Sequence, residues 1–195
     1  MPEGRARPSR RRRRQSALGV VRPHNSKQMQ RICLESLSFY DRLRRVSVAR
    51  EMAVFTTQEE VGLRGAKVAA YSVAPDLGIA LDVTQSGDTP KGPKIAVKAG
   101  EGPCVKVFDS SQICSPKVVA LLEKAADAAG VRYQREVLTA GGTDASAIQL
   151  TRGGIPAGTL SVACRYVHSA CEAISVQDCE DSVKLLTALC MDAEI

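Results

Sequence analysis

Ala53-Val54-Phe55-Thr56-Thr57-Gln58-Glu59-Glu60-Val61-Gly62-Leu63-Arg64-Gly65-Ala66 is the stretch that decides how this chain folds. Its first part, 53–57, is a short apolar run and reads as a buried strand. The run gives out at Gln58-Glu59-Glu60, and 64–71 then reads as a short helix. The alternation continues downstream, with apolar strands expected at 77–82, 95–99, 104–108, 133–137 and 159–163. Ser115-Pro116 supplies an N-cap and a proline at the first helical position, for a helix that runs to Ala129 and is closed by Gly130. Val176, Cys179, Val183, Leu186 and Cys190 fall three or four apart, marking an amphipathic helix capped at Ser175. Strands alternating with helices define an α/β domain over residues 51–195.

Upstream the texture differs. Residues 1–50 hold 14 Lys and Arg against 3 Asp and Glu, whereas 51–195 hold 13 against 18. Residues 1–27 are rich in Arg, Pro and Ser, with too little apolar surface to offset the entropy of ordering, so a disordered basic N-terminus is expected. Ile32, Leu34, Leu37, Leu43, Val46 and Val48 form a helical pattern over 30–50. The run Arg10 to Arg14 is basic enough to bind nucleic acid by counterion release, but no aromatic residue is interleaved with it to stack on bases. A solvated tail is therefore the preferred reading over a nucleic-acid partner. Seven cysteines with no C-x-x-C pair read as reduced thiols of a cytoplasmic protein. No apolar run approaches the roughly 20 residues of a membrane span.

Hard metal-binding groups fall at the ends of predicted strands: Glu59 and Glu60, Asp82, and His168. Open α/β sheets build their sites at such ends. Each has an ordinary structural alternative, as a solvated turn, a cap or a structural histidine. Together, oxygen and imidazole ligands without thiolate suit zinc, cobalt or manganese. Adjacent carboxylates can also divide the labour of hydrolysis, one binding metal while its neighbour takes a proton from water.

The opening stretch closely resembles the glutamyl aminopeptidase family, also known as the deblocking, tetrahedral or cellulase M-like aminopeptidases. Further blocks resemble it in order: Pro75-Asp76, Ala80-Leu81-Asp82-Val83-Thr84, Gly87-Asp88-Thr89-Pro90, Gly100-Glu101-Gly102-Pro103, Gly141-Gly142-Thr143-Asp144-Ala145 and Arg165-Tyr166-Val167-His168-Ser169. The resemblance covers residues 53–193. It implies part of a zinc-exopeptidase-type catalytic domain, a mixed sheet flanked by helices, with two divalent metal ions, zinc or cobalt, removing N-terminal residues from peptide substrates. It also implies Glu60 and His168 on one metal, Asp82 on the other, and Glu59 as general base. Gly141, Gly142, Thr143, Asp144 and Arg165 would line the substrate cleft, with an Asx turn as the structural alternative for Asp144.

The same resemblance calls for a histidine and a bridging aspartate upstream of Glu59. The setting of His24 does not match, and Asp41-Arg42 is the candidate for the bridging motif, with a surface position on an amphipathic helix as the alternative. Residues 1–50 are thus expected to be foreign to the fold, and the chain to hold an incomplete site and to be truncated and impaired as an enzyme. A non-catalytic remnant that binds metal or a partner is the competing reading. An exposed sheet edge would favour a homo-oligomer or a complementing chain.

Overall fold

The computed structural model describes residues 15–20 and 50–191. Within them lie strands β1 Gln15–Val20, β2 Arg50–Val54, β3 Leu77–Gln85, β4 Cys104–Asp109, β5 Gln112–Ile113, β6 Gln134–Val137, β7 Ala157–Arg165 and β8 Ala173–Ile174. The helices are α1 Arg64–Val73, α2 Pro116–Ala129, α3 Asp144–Gln149 and α4 Val176–Met191. The sheet runs β2-β1-β3-β7-β4-β5, with β6 paired to β4 and β8 to β7. The first four strands of this path are parallel; β4 then meets β7 antiparallel through Cys104↔Ser161 and Val105↔Leu160. This is the mixed α/β sheet expected.

Strand β3 explains how the layers form. Leu77 and Ile79 point to one face and pack with Val105 and Leu160 against Val118 and Leu122 of α2 and Leu185, Leu186 and Leu189 of α4. Residues of the opposite parity turn the other way, as a strand requires. Ala80 meets Ala70 of α1 and Ala145 and Ile148 of α3. Gly78 is required there, because a Cβ would lie 2.5 Å from Ile148 Cγ2.

Three expectations are corrected. Residues 95–99 form no strand; Lys98 instead exchanges backbone hydrogen bonds with the Gln134 side chain, its N–H donating to Oε1 and its carbonyl accepting from Nε2, both 2.9 Å. The first strand of the decisive stretch spans Arg50–Val54 rather than 53–57, so Phe55 to Thr57 already belong to the turn. Disorder through residue 27 does not hold for Gln15–Val20, which lies between β2 and β3 with backbone partners on both sides. Two neighbouring strands can satisfy a six-residue segment through its main chain without any side-chain periodicity. The helical pattern at 30–50 lies outside the described residues apart from Arg50. Gly130 closes α2 in the left-handed conformation as expected, whereas the Ser115 side chain makes no capping bond.

Candidate active site

The cleft opens at the carboxyl ends of the parallel strands. It has a volume of about 450 Å³ and takes in Glu59, Glu60, Asp82, Lys106, Gly141, Gly142, Thr143 and His168 among its walls. Glu59 and Glu60 sit on the turn between β2 and α1. The Glu59 carbonyl accepts from the N–H groups of Gly62 and Leu63, at 3.0 and 2.9 Å, which folds the turn back on itself. Gly65 lets α1 begin close beneath it, since a Cβ would lie 2.5 Å from Thr57 N. Thr56 Oγ1 donates to Asp144 Oδ2 at 2.6 Å and so ties the turn to α3. The two carboxylates face different surroundings: Glu59 is 7% exposed, while the Glu60 side chain is 39% exposed.

His168 stands across the cleft, with Nε2 3.1 Å from Glu60 Oε1. It lies on the loop after β7 with φ +63°, and Tyr166 has φ +60°. Non-glycine residues held there cost on the order of 1–3 kcal/mol each, so the loop needs strong local support. Asp82 lines the same cleft from β3, and its Oδ1 accepts the Val83 N–H at 2.8 Å.

Among the expected cleft residues, Glu59, Glu60, Asp82, Gly141, Gly142, Thr143 and His168 come together. Asp144 and Arg165 do not line the cleft. Asp144 is buried and takes the Thr56 hydroxyl, so its carboxylate holds two loops together. Arg165 turns to Asp88 instead, its Nε and Nη2 donating to the two carboxylate oxygens at 3.1 and 2.5 Å. That fork, helped by the Ser86 hydroxyl, holds the Asp88 pKa down at about 2. Asp41 and His24 lie outside the described residues.

Lys106 was not anticipated. It is 2% exposed and reaches the cleft wall from β4. Its Nζ pairs with Glu136 Oε1 directly across the β4–β6 ladder and lies 3.9 Å from Asp109 Oδ2. Thr84 Oγ1 donates to the same Glu136 oxygen at 2.6 Å. The sequence signal was a lysine set between Val105 and Val107 in an otherwise apolar strand; a buried lysine requires a carboxylate partner, and Glu136 occupies the matching place on β6.

Carboxylate and imidazole are the donors a hard or borderline divalent cation takes. Glu60 and His168, already facing each other, fit one such ion. Among the described residues, no group of three or more His, Cys, Asp or Glu is gathered closely enough to hold a metal by itself.

These features define an α/β protein that collects hard nitrogen and oxygen donors at the carboxyl ends of its strands. The chain belongs to the M42 glutamyl aminopeptidase family, whose profile matches residues 33–185. That span starts ahead of the residue 53 at which the motif resemblance began, and it takes in Asp41. A provisionally named aminopeptidase of Acetivibrio thermocellus is 54% identical over 138 residues, covering 70% of this chain and 42% of the relative. Among solved structures, an aminopeptidase of the archaeon Desulfurococcus kamchatkensis is 36% identical with a TM-score of 0.74, covering 80% of this chain and 45% of that one. The TET1 peptidase of Pyrococcus horikoshii, described as assembling into a tetrahedron or a large octahedral shell, is 32% identical with a TM-score of 0.68 over 83% of this chain and 46% of its own. The chain thus spans less than half the length of each of these relatives. No helix among the described residues is long and apolar enough to cross a membrane.

Proposed function

We propose that these residues form part of a metal-dependent aminopeptidase that hydrolyses N-terminal residues from peptides. The observation that carries this reading is the 3.1 Å approach of Glu60 and His168 in a cleft that also holds Glu59 and Asp82. Glu60 and His168 would hold one divalent ion and Asp82 would contribute to a second, with zinc or cobalt suited to both. Such ions supply Lewis acidity, polarising the scissile carbonyl and making water a nucleophile at neutral pH. Glu59, more deeply set than its neighbour, accepts the proton of the attacking water and returns it to the leaving amine. Gly141, Gly142 and Thr143 bound the space for the substrate. Asp41 is our candidate for the bridging aspartate, and the upstream histidine that the family pattern calls for has no counterpart in the setting of His24.

The test is release of p-nitroaniline from aminoacyl p-nitroanilides with added zinc or cobalt. Impaired turnover is expected, and Glu59→Gln should remove it while the fold is retained. Turnover surviving in Glu59→Gln would refute the general-base assignment. A non-catalytic remnant that binds metal or a partner is the second reading, and the lack of a three-donor group among the described residues weighs against catalysis. Metal bound stoichiometrically without turnover would select it. Self-association accompanies the first reading, supported by the shells formed by the TET1 relative. A reducing, cytoplasmic setting is supported by the free cysteines 104, 114, 164 and 171.

A further inference from the structure

The loop that carries His168 is pinned at both ends to one point of the sheet. Strand β8 returns antiparallel on β7 through Arg165↔Ala173, so residues 166–172 leave and rejoin the sheet at neighbouring positions. Two left-handed residues inside the loop oppose this course, and local bonds must hold it. The His168 N–H donates to Glu172 Oε1 at 2.7 Å, and the Ser169 N–H to the Tyr166 carbonyl at 3.1 Å. At the base, Arg165 sends its two-pronged donor to Asp88, on the turn that follows β3. Strand β3 is also the strand that presents Asp82, and its end is joined to β7 by the Ser86 N–H bond to the Cys164 carbonyl, 3.0 Å.

We propose that Asp88, acting through Arg165, is a positioning residue that fixes His168 against Glu60, with Glu172 completing the support from within the loop. A partly exposed ion pair ordinarily adds little to global stability. Its two-pronged geometry, however, sets direction as well as attraction. The pair therefore orients one imidazole relative to the strand bearing Asp82, and a lysine at 165 would keep the charge but lose the orientation. This inference rests on the reading of His168 as a metal donor.

The test uses the full chain in a His24→Gln background. The chain has two histidines, so this leaves His168 as its sole imidazole, observable in an 15N–1H spectrum. Without metal, Asp88→Asn should broaden or split the His168 ring signals while the urea midpoint stays near that of the parent. Cobalt(II) affinity, measured by competition with a chromophoric chelator, should fall by about ten- to a hundredfold, as when outer partners of metal ligands are removed. Ring signals at parent positions and widths, with unchanged affinity, would overturn the proposal. His168→Ala is measured alongside. If it leaves cobalt affinity intact, the metal-donor reading fails, and the ring spectrum alone decides whether Asp88 positions the imidazole. Should Asp88→Asn not fold, Arg165→Lys is put to the same measurements with the same expected losses.

Discussion

Replacing Lys106 by Met should destabilise the protein severely, and the structure sets the scale. Lys106 and Glu136 are 2% and 1% exposed, and Asp109 is fully buried. The 3.9 Å approach of Lys106 Nζ to Asp109 alone corresponds to about 4 kcal/mol of attraction at an effective dielectric near 20, much of it offset by desolvation. Methionine fills a similar volume but leaves two buried carboxylates without their shared cation. Glu136 keeps the Thr84 hydroxyl, and Asp109 Oδ1 keeps the Ser111 and Gln112 N–H groups at 2.8 and 3.0 Å. Among the described residues, Glu136 Oε2 and Asp109 Oδ2 accept no hydrogen bond. Removing one partner of a buried pair costs about 3–5 kcal/mol. With an m-value of about 2 kcal/mol per molar, the urea midpoint should drop by roughly 2 M at pH 7. The double variant Lys106→Met/Glu136→Gln should recover a large part of that loss, because it removes one of the stranded charges. A single-variant shift below about 0.5 M, or a double variant no better than the single, would refute the account.

Gly65→Ala should lower stability by about 1–3 kcal/mol by driving a methyl into the Thr57 backbone, readable as a lower midpoint in thermal unfolding. The small stability difference between the parent and Asp88→Asn should depend on pH. The folded-state pKa of Asp88, about 2, lies below its ordinary 3.8, so the contribution is fully present above about pH 4 and disappears as pH falls toward 2. Unfolding curves for both proteins at several pH values between 2 and 5 would follow it. Among the thiols with described side chains, exposed Cys171 should be alkylated first at pH 8, as peptide mapping by mass spectrometry can follow. Burial pushes Cys114 and Cys164 up to about 11 and raises Cys104 as well, leaving them almost wholly protonated.

The sequence made legible those parts of the site whose residue type conflicts with a plain structural role. Glu59, Glu60, Asp82 and His168 stand where apolar strands end, and the structure brings all four to one cleft. Lys106 escaped because an alternating strand pattern does not distinguish a buried lysine from one on a solvated face. Arg165 was misplaced because adjacency to His168 says nothing about direction. As the last residue of β7 it aims its side chain at Asp88, two strands' ends being close in space and 77 residues apart in the chain. Strand β1 left no periodic trace, since its place depends on main-chain partners far along the sequence. Residues 95–99 had the apolar content of a strand, but their backbone bonds go to the Gly87 N–H and the Gln134 side chain rather than into a ladder.

The two faces of β3 are unequal in a way that bears on how the molecule breathes. Leucine, isoleucine and valine cover the side facing α2 and α4, whereas mostly glycine and alanine lie beneath α1 and α3. Burying alanine yields far less than burying leucine, so stability is stored chiefly on the side away from the cleft. Partial openings that lift α1 or α3 should then cost less than global unfolding. The Glu59-Glu60 turn precedes α1, so these two carboxylates rest on the side of the fold more easily loosened. The opposite layer can remain a fixed platform while the cleft adjusts to what enters it.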